Sequence, residues 1–328
     1  MKLKIFKMEF TGKQNRLWSR IGSRATYGQA ILMLGGFKEN LMVLSADLGN
    51  SSGLERFRKT YPDKFVNIGI AEQNMVGVAA GLAKEGYVVF ASSFAPFITM
   101  RASEQVRMNM GYMDLNIKTV AIGSGLAMNF LGNSHFGLED ASIMRSIPNL
   151  TVISPADCME IVKTVFASAD FPHPIYIRLT GGVGFPCVYQ DDYDFEIGKG
   201  ITLMDGTDVT IIATGSMVYQ SLEACKIIKE KGFNPMLINM HTIKPLDTKI
   251  IDKAIKNNSP IFTVEEHSIV GGLGSAVAEY ISKIDKSPSL EMIGLPDKFL
   301  KTAEYNYLLN EYGLVPEKIS NKILNKLL

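Results

Sequence analysis

Short apolar runs at residues 41–44, 65–68, 87–91, 117–122, 150–153 and 174–179 alternate with stretches whose apolar residues recur at helical spacing. Strands separated in this way by helices form a mostly parallel sheet covered on both faces. The pattern stops at Gly181-Gly182-Val183-Gly184-Phe185-Pro186, and an acidic run with Asp191, Asp192 and Asp194 follows. It then resumes, with strands at 208–213, 236–238 and 261–264 and helices at 219–231, 248–256 and 274–282. The expectation is therefore an α/β chain of two consecutive three-layer domains, both with mostly parallel sheets. The divisions are an N-terminal arm at 1–23, a first domain at 24–185, a linker at 186–200 and a second domain at 201–328. The arm alternates basic and apolar residues and is expected to lie on a partner. Thr26-Tyr27-Gly28-Gln29 has the form of a capping box, which places the first helix start there.

Composition narrows the partners. A formal net charge of +1 calls for neither a nucleic-acid nor a membrane surface, and no stretch approaches the roughly 20 apolar residues of a membrane span. Cys158, Cys187 and Cys225 are odd in number and widely spaced. They fit buried small hydrophobes in a reducing cytoplasm, and neither a disulfide framework nor a metal site.

The stretch Ile68-Gly69-Ile70-Ala71-Glu72-Gln73-Asn74-Met75 sets one carboxylate at a strand-to-helix turn. Met75, Val78, Ala79, Leu82 and Ala83 continue as an apolar helix, and Gly77 and Gly81 would admit a second backbone. A first-turn acid ordinarily complements the helix N-terminus. Apolar flanks favour another reading, a carboxyl poised to exchange a proton. Two phenylalanines, Phe94 and Phe97, follow the strand at 87–91, where an exposed aromatic face would serve as a platform for a flat ring.

Gly-Ile-Ala-Glu-Gln-Asn at 69–74, continued by Val76-Gly77-Val78-Ala79-Ala80-Gly81-Leu82-Ala83, resembles the pyrimidine-binding domain of thiamine diphosphate enzymes of the transketolase superfamily. The resemblance runs from about Arg24 to the last helices. It matches the C-terminal half of transketolase, or the free small subunit of a split one. It implies transfer of a two-carbon ketol or acyl unit through the C2 carbanion of the cofactor. Glu72 would hydrogen-bond N1' of the aminopyrimidine and drive deprotonation at C2. Phe97, with Phe94 beside it, would stack the ring, and Ile70 would join them on the cofactor. Asp47, in Ser45-Ala46-Asp47-Leu48, would lie near the thiazolium across the boundary between two subunits, although a turn-forming Asp explains it equally. His135, in Leu131-Gly132-Asn133-Ser134-His135-Phe136-Gly137, would contact the substrate carbonyl or the developing alkoxide. Asn133 and Arg178 would bind substrate with it, Arg178 on a phosphate or carboxylate, and a structural ion pair is the equal alternative for that arginine. Arg101 is expected to pair along its helix with Glu104 or Gln105.

Two departures narrow the acceptor. Transketolases carry an acidic residue four positions before this histidine, where the chain has Leu131, and an earlier active-site histidine falls on Gly123. A pocket without these groups discriminates poorly in favour of a hydroxylated sugar. That argues against ordinary pentose phosphates and for a deoxy, modified or keto acceptor. The family grips the cofactor diphosphate and Mg2+ through Gly-Asp-Gly, and no Gly-Asp dipeptide occurs here. The metal would then belong to an N-terminal, diphosphate-binding partner subunit in an α2β2 heterotetramer with a β–β dimer. Gly271-Gly272-Leu273-Gly274 lacks a third nucleotide-type glycine and fits domain packing, and the adjacent Glu265-Glu266-His267 cannot easily turn to one ion. The competing readings are the β subunit of a 2-oxo acid dehydrogenase, which would hand an acyl group to lipoate, and a noncatalytic scaffold.

Overall fold

The fold was analysed from a computed structural model, which describes residues 10–328. Strands β1 (Leu41–Ser45), β2 (Phe65–Asn67), β3 (Val88–Phe94), β4 (Ile117–Ile122), β5 (Thr151–Ile153) and β6 (Ile175–Leu179) form the first sheet with β10 (Thr242–Lys244). The second sheet holds β7 (Ile201–Met204), β8 (Val209–Ala213), β9 (Pro235–Asn239), β11 (Ile261–Ser268) and β12 (Leu290–Leu295). The spatial orders are β10-β5-β6-β4-β3-β1-β2 and β12-β11-β8-β9-β7. All pairings are parallel except β10 with β5 and β7 with β9. Every residue of β3, β4, β8 and β9 is buried, because helices cover both faces. The two mostly parallel α/β units expected from the alternating runs are present. No described helix is long and apolar enough to cross a membrane.

Three local expectations are corrected. Residues 12–22 are not a free arm: they open the helix Gly12–Gly35, kinked at Gly22, and pack on this chain's own helix Cys158–Asp170. Trp18 is buried there, and the buried Asn15 amide donates to the Asp157 carboxylate (2.7 Å) and the Tyr189 carbonyl (2.9 Å). The rest of the arm, residues 1–9, lies outside the described residues. Thr26 sits inside that helix, and its hydroxyl donates to the Trp18 carbonyl instead of capping.

The third correction concerns β10, which crosses from the second half of the chain to pair antiparallel with β5 in the first sheet. It is a three-residue strand, too short to register as an apolar run. The hydrophobic core is likewise shared. One continuous cluster joins Ile153, Leu179 and Phe185 to Val209, Ile211 and Phe262. The two units are thus welded through apolar packing as well as through a strand.

Candidate active site

The site forms at the carboxyl ends of β1, β3 and β4, the edge where parallel sheets bind ligands. Helix Glu72–Lys84 follows β2 and buries Met75, Val76 and Ala79. Its first residue is Glu72, with the side chain turned inward and 1% exposed. Oε1 accepts from the Ser93 hydroxyl on β3 at 2.8 Å, and Oε2 accepts from Arg101 Nη1 at 2.6 Å. The setting of this carboxylate is therefore polar at its tip, where the sequence suggested apolar neighbours. Arg101 does not pair with Glu104 or Gln105; Gln105 donates to Glu104 instead. A buried carboxylate is costly without a partner, and Arg101 is the cation that supplies one.

The segment Phe97–Arg101 is a turn of wide, π-type helix. Its register carries the guanidinium of Arg101 back over the Phe97 ring, 4.1 Å from the centroid. This is a favourable seat for a planar cation. Wide turns of this kind gather at functional sites.

Phe94 is the last residue of β3 and stands opposite Ile122, so the loop after β4 emerges beside it. That loop returns His135 to the two phenylalanines, with ring centroids 5.4 Å from Phe94 and 5.2 Å from Phe97. Phe94 and Phe97 are themselves 5.9 Å apart and near perpendicular. Neither phenylalanine is fully exposed: Phe94 is buried and Phe97 half-buried. His135 is half-buried, with Nδ1 beside the Ser134 hydroxyl at 2.9 Å. Glu72, Arg101, Phe97, His135 and Phe94 thus make one unbroken patch.

The remaining expected site residues divide. Asp47, in the left-handed region at φ 58°, and Ile70, 77% exposed, both lie in the loops at the carboxyl ends of β1 and β2. Asp47 exchanges hydrogen bonds with Asn67: its carboxylate accepts from Nδ2 at 2.9 Å, and its own N–H donates to Oδ1 at 3.0 Å. Arg178 takes the second of the two expected roles, a buried ion pair. It is 1% exposed, its Nε donates to both Asp140 oxygens (3.0 and 2.9 Å), and Nη2 donates to the carbonyls of Gly137 and Glu266. A guanidinium with no surface cannot meet a substrate anion. Asn133 is also spent: Nδ2 donates to the Leu300 carbonyl (2.8 Å) and Oδ1 accepts from the Leu300 N–H (2.9 Å).

Around the rim the two departures have visible consequences. A side chain at Gly123 would run into Met128 Cγ and Sδ at 2.5 Å, so methionine fills the space a histidine would take. Leu131 and its neighbour Phe130 are exposed. The approach to His135 is therefore apolar.

The transketolase pyrimidine-binding domain family matches residues 19–182, and the transketolase C-terminal domain family matches residues 198–319. A putative transketolase C-terminal section of Methanocaldococcus jannaschii is 42% identical over 93% of this chain and 96% of its own. The chain belongs to the transketolase family. Another relative of this transketolase chain, a subunit of the apulose-4-phosphate transketolase of Phocaeicola vulgatus, is 36% identical over 93% of this chain and 97% of its own. A solved structure described as a split gene transketolase, inactive beta4 tetramer, superposes with a TM-score of 0.86 at 38% identity, covering 94% of this chain and 98% of that one. Transketolases are transferases that use thiamine diphosphate. The fit of an aminopyrimidine to this transketolase chain can be judged from Arg101. Its planar guanidinium already meets both demands such a ring makes, a hydrogen bond to the Glu72 carboxylate and a seat over Phe97. The contacts of Ser93 and Arg101 with Glu72 are the part of the candidate site that the sequence reading did not foresee. The available signal was that a carboxylate in an apolar helix needs a cation, and Arg101 is the first one after the apolar run of β3.

Proposed function

We propose that this chain is the pyrimidine-binding subunit of a two-subunit transketolase that moves a two-carbon ketol unit between small sugar or keto substrates. The observation that carries the reading is the Glu72 carboxylate, buried to 1% exposure yet contiguous through Arg101 with the Phe97 ring and His135. Bound thiamine diphosphate supplies the electron sink for the transfer. Glu72 holds and exchanges a proton at the aminopyrimidine nitrogen, and Ser93 fixes the carboxylate orientation from below. Phe97, with Phe94 beside it, would seat the ring in place of the Arg101 guanidinium, and Ile70 and Asp47 would contribute from the loops at the same edge. His135 donates to the substrate oxygen on which negative charge develops.

Mg2+ and the diphosphate fall to the partner subunit, in keeping with the lack of any Gly-Asp dipeptide in the sequence. The assembly is α2β2 with a β–β contact on the helix Glu72–Lys84, where Gly77 and Gly81 are exposed and have open space above them. The apolar rim at Met128, Phe130 and Leu131 favours a modified acceptor over an ordinary pentose phosphate, and the apulose-4-phosphate relative points the same way. The cytoplasm is the compartment that suits the three unpaired cysteines. The test is ketol transfer by this chain alone and after mixing with the diphosphate-binding subunit. Activity only in the mixture is expected; turnover by the isolated chain would overturn the two-subunit reading.

A further inference from the structure

The loop that carries His135 is closed at its neck by two backbone bonds, Gly125 N–H to the Gly137 carbonyl (2.8 Å) and Gly137 N–H to the Gly125 carbonyl (3.1 Å). Beyond that neck, among the described residues, the hydrogen bonds that leave residues 126–136 all end on the second domain. The first is Leu126 N–H, which donates to Glu266 Oε1 at 2.6 Å. The other two are the reciprocal pair between the Asn133 amide and the backbone of Leu300. The tip is also held by shape. Gly132 adopts φ +66°, and a side chain there would strike Thr302 Cγ2 at 2.2 Å.

Glu266 is itself firmly set. It is 1% exposed, and its Oε2 accepts from the hydroxyls of Ser216 and Tyr305, the latter at 2.7 Å. Its carbonyl accepts from Arg178 Nη2 at 2.7 Å, and the same nitrogen donates to Gly137 at the loop neck at 3.0 Å. Two strands of different sheets, β6 and β11, thus hold the two ends of one loop through a single buried arginine and a single buried carboxylate. A fully paired buried network of this kind fixes geometry more tightly than exposed contacts do.

We infer that the second domain is a positioning element for the reaction, with Glu266 and the Asn133–Leu300 pair fixing where His135 stands over Phe94 and Phe97. The inference rests on the transketolase reading for the role of His135, and independently of that reading it states what holds the loop. The first domain contributes the neck and apolar packing, in which Leu126 and Phe136 join Phe94 and Ile122 in the core. Without the ties at Leu126 and Asn133 the imidazole would sample positions away from the substrate oxygen, and displacements near 1 Å cost roughly a hundredfold in rate.

Three variants test this: Asn133→Ala, Glu266→Ala and Glu266→Gln. Asn133 is exposed, so its replacement leaves the core untouched. Glu266→Gln keeps an acceptor for Leu126 N–H and serves as the rescue. Amide hydrogen exchange of residues 127–136 in the isolated chain should quicken about tenfold in both alanine variants and stay near the parent in the glutamine variant. In the reconstituted pair, kcat should fall about tenfold or more for Asn133→Ala while cofactor affinity stays within about twofold and the melting temperature is unchanged. Unchanged exchange in both alanine variants, or a loosened loop with unchanged kcat, would overturn the inference. If the parent pair transfers no ketol unit, the transketolase reading fails, and the exchange arm still decides whether the second domain holds the loop.

Discussion

Arg101 is the residue on which the candidate site turns. It is 44% exposed yet paired with a carboxylate that is 1% exposed, so it shields Glu72 from solvent while neutralising it. Removing it leaves a buried charge with the Ser93 hydroxyl as its remaining side-chain donor. Arg101→Met should therefore destabilise the chain by about 1–3 kcal/mol in urea unfolding. Adding Glu72→Gln should recover most of that loss, since the neutral amide no longer needs a cation. Losses that simply add would show that the two side chains are uncoupled. The sequence pointed to Glu72 and His135 and to the two phenylalanines between them. It left Arg178 open between a substrate anion and an ion pair and did not foresee the Asn133–Leu300 bonds, because an arginine in a strand and an asparagine in a loop look alike whether they face a substrate or a neighbouring domain. Only the positions of Asp140, Glu266 and Leu300 distinguish those cases, and all three lie elsewhere in the chain.

Among the elements, helix Glu72–Lys84 sends its first residue into the candidate site and leaves Gly77 and Gly81 exposed on its outer face, where we propose that another molecule packs. A side chain added at either glycine meets nothing within 4 Å. Gly81→Leu should thus leave the isolated chain as stable as before or up to about 1 kcal/mol more so, through helix propensity. Sedimentation should nevertheless show weakened self-association and a weakened complex with the diphosphate-binding subunit. Undiminished assembly would place the interface elsewhere. The helices and long strands were legible because each buries a regular apolar pattern. The three-residue β10 and the wide turns at 97–112 were not, since neither has a period long enough to read.

For the molecule as a whole, buried titratable groups set the acid limit. His241 is pushed down to about 4 from the usual 6.5, chiefly because burial disfavours its charged form. His267 is pushed to about 4 for the same first reason. Both are neutral in the fold and take up a proton on unfolding between those values. Their contribution is complete above about pH 6.5 and is lost as the pH falls toward 4. Glu265 works in the opposite sense: burial raises it to about 7 from 4.5, so its contribution fades as the pH rises through that window. The loss on the acid side should thus flatten in His241→Gln, by up to about 1.4 kcal/mol per pH unit between 4 and 6.5. An unaltered acid limb would mean that His241 is charged in the fold.

The two-domain plan was readable because the broken alternation at 181–186 is a large signal. Their mutual grip was not, since a shared core and an exchanged strand come from pairings far apart in sequence. The central claim concerns what Glu72 does, and it is tested most directly by hydrogen–deuterium exchange at C2 of thiamine diphosphate bound to the reconstituted pair. The parent should exchange at least about a hundredfold faster than free cofactor. The Glu72→Gln pair should bind the cofactor comparably and lose that acceleration. Equal exchange in both would contradict the assignment of Glu72 as the group that primes the cofactor.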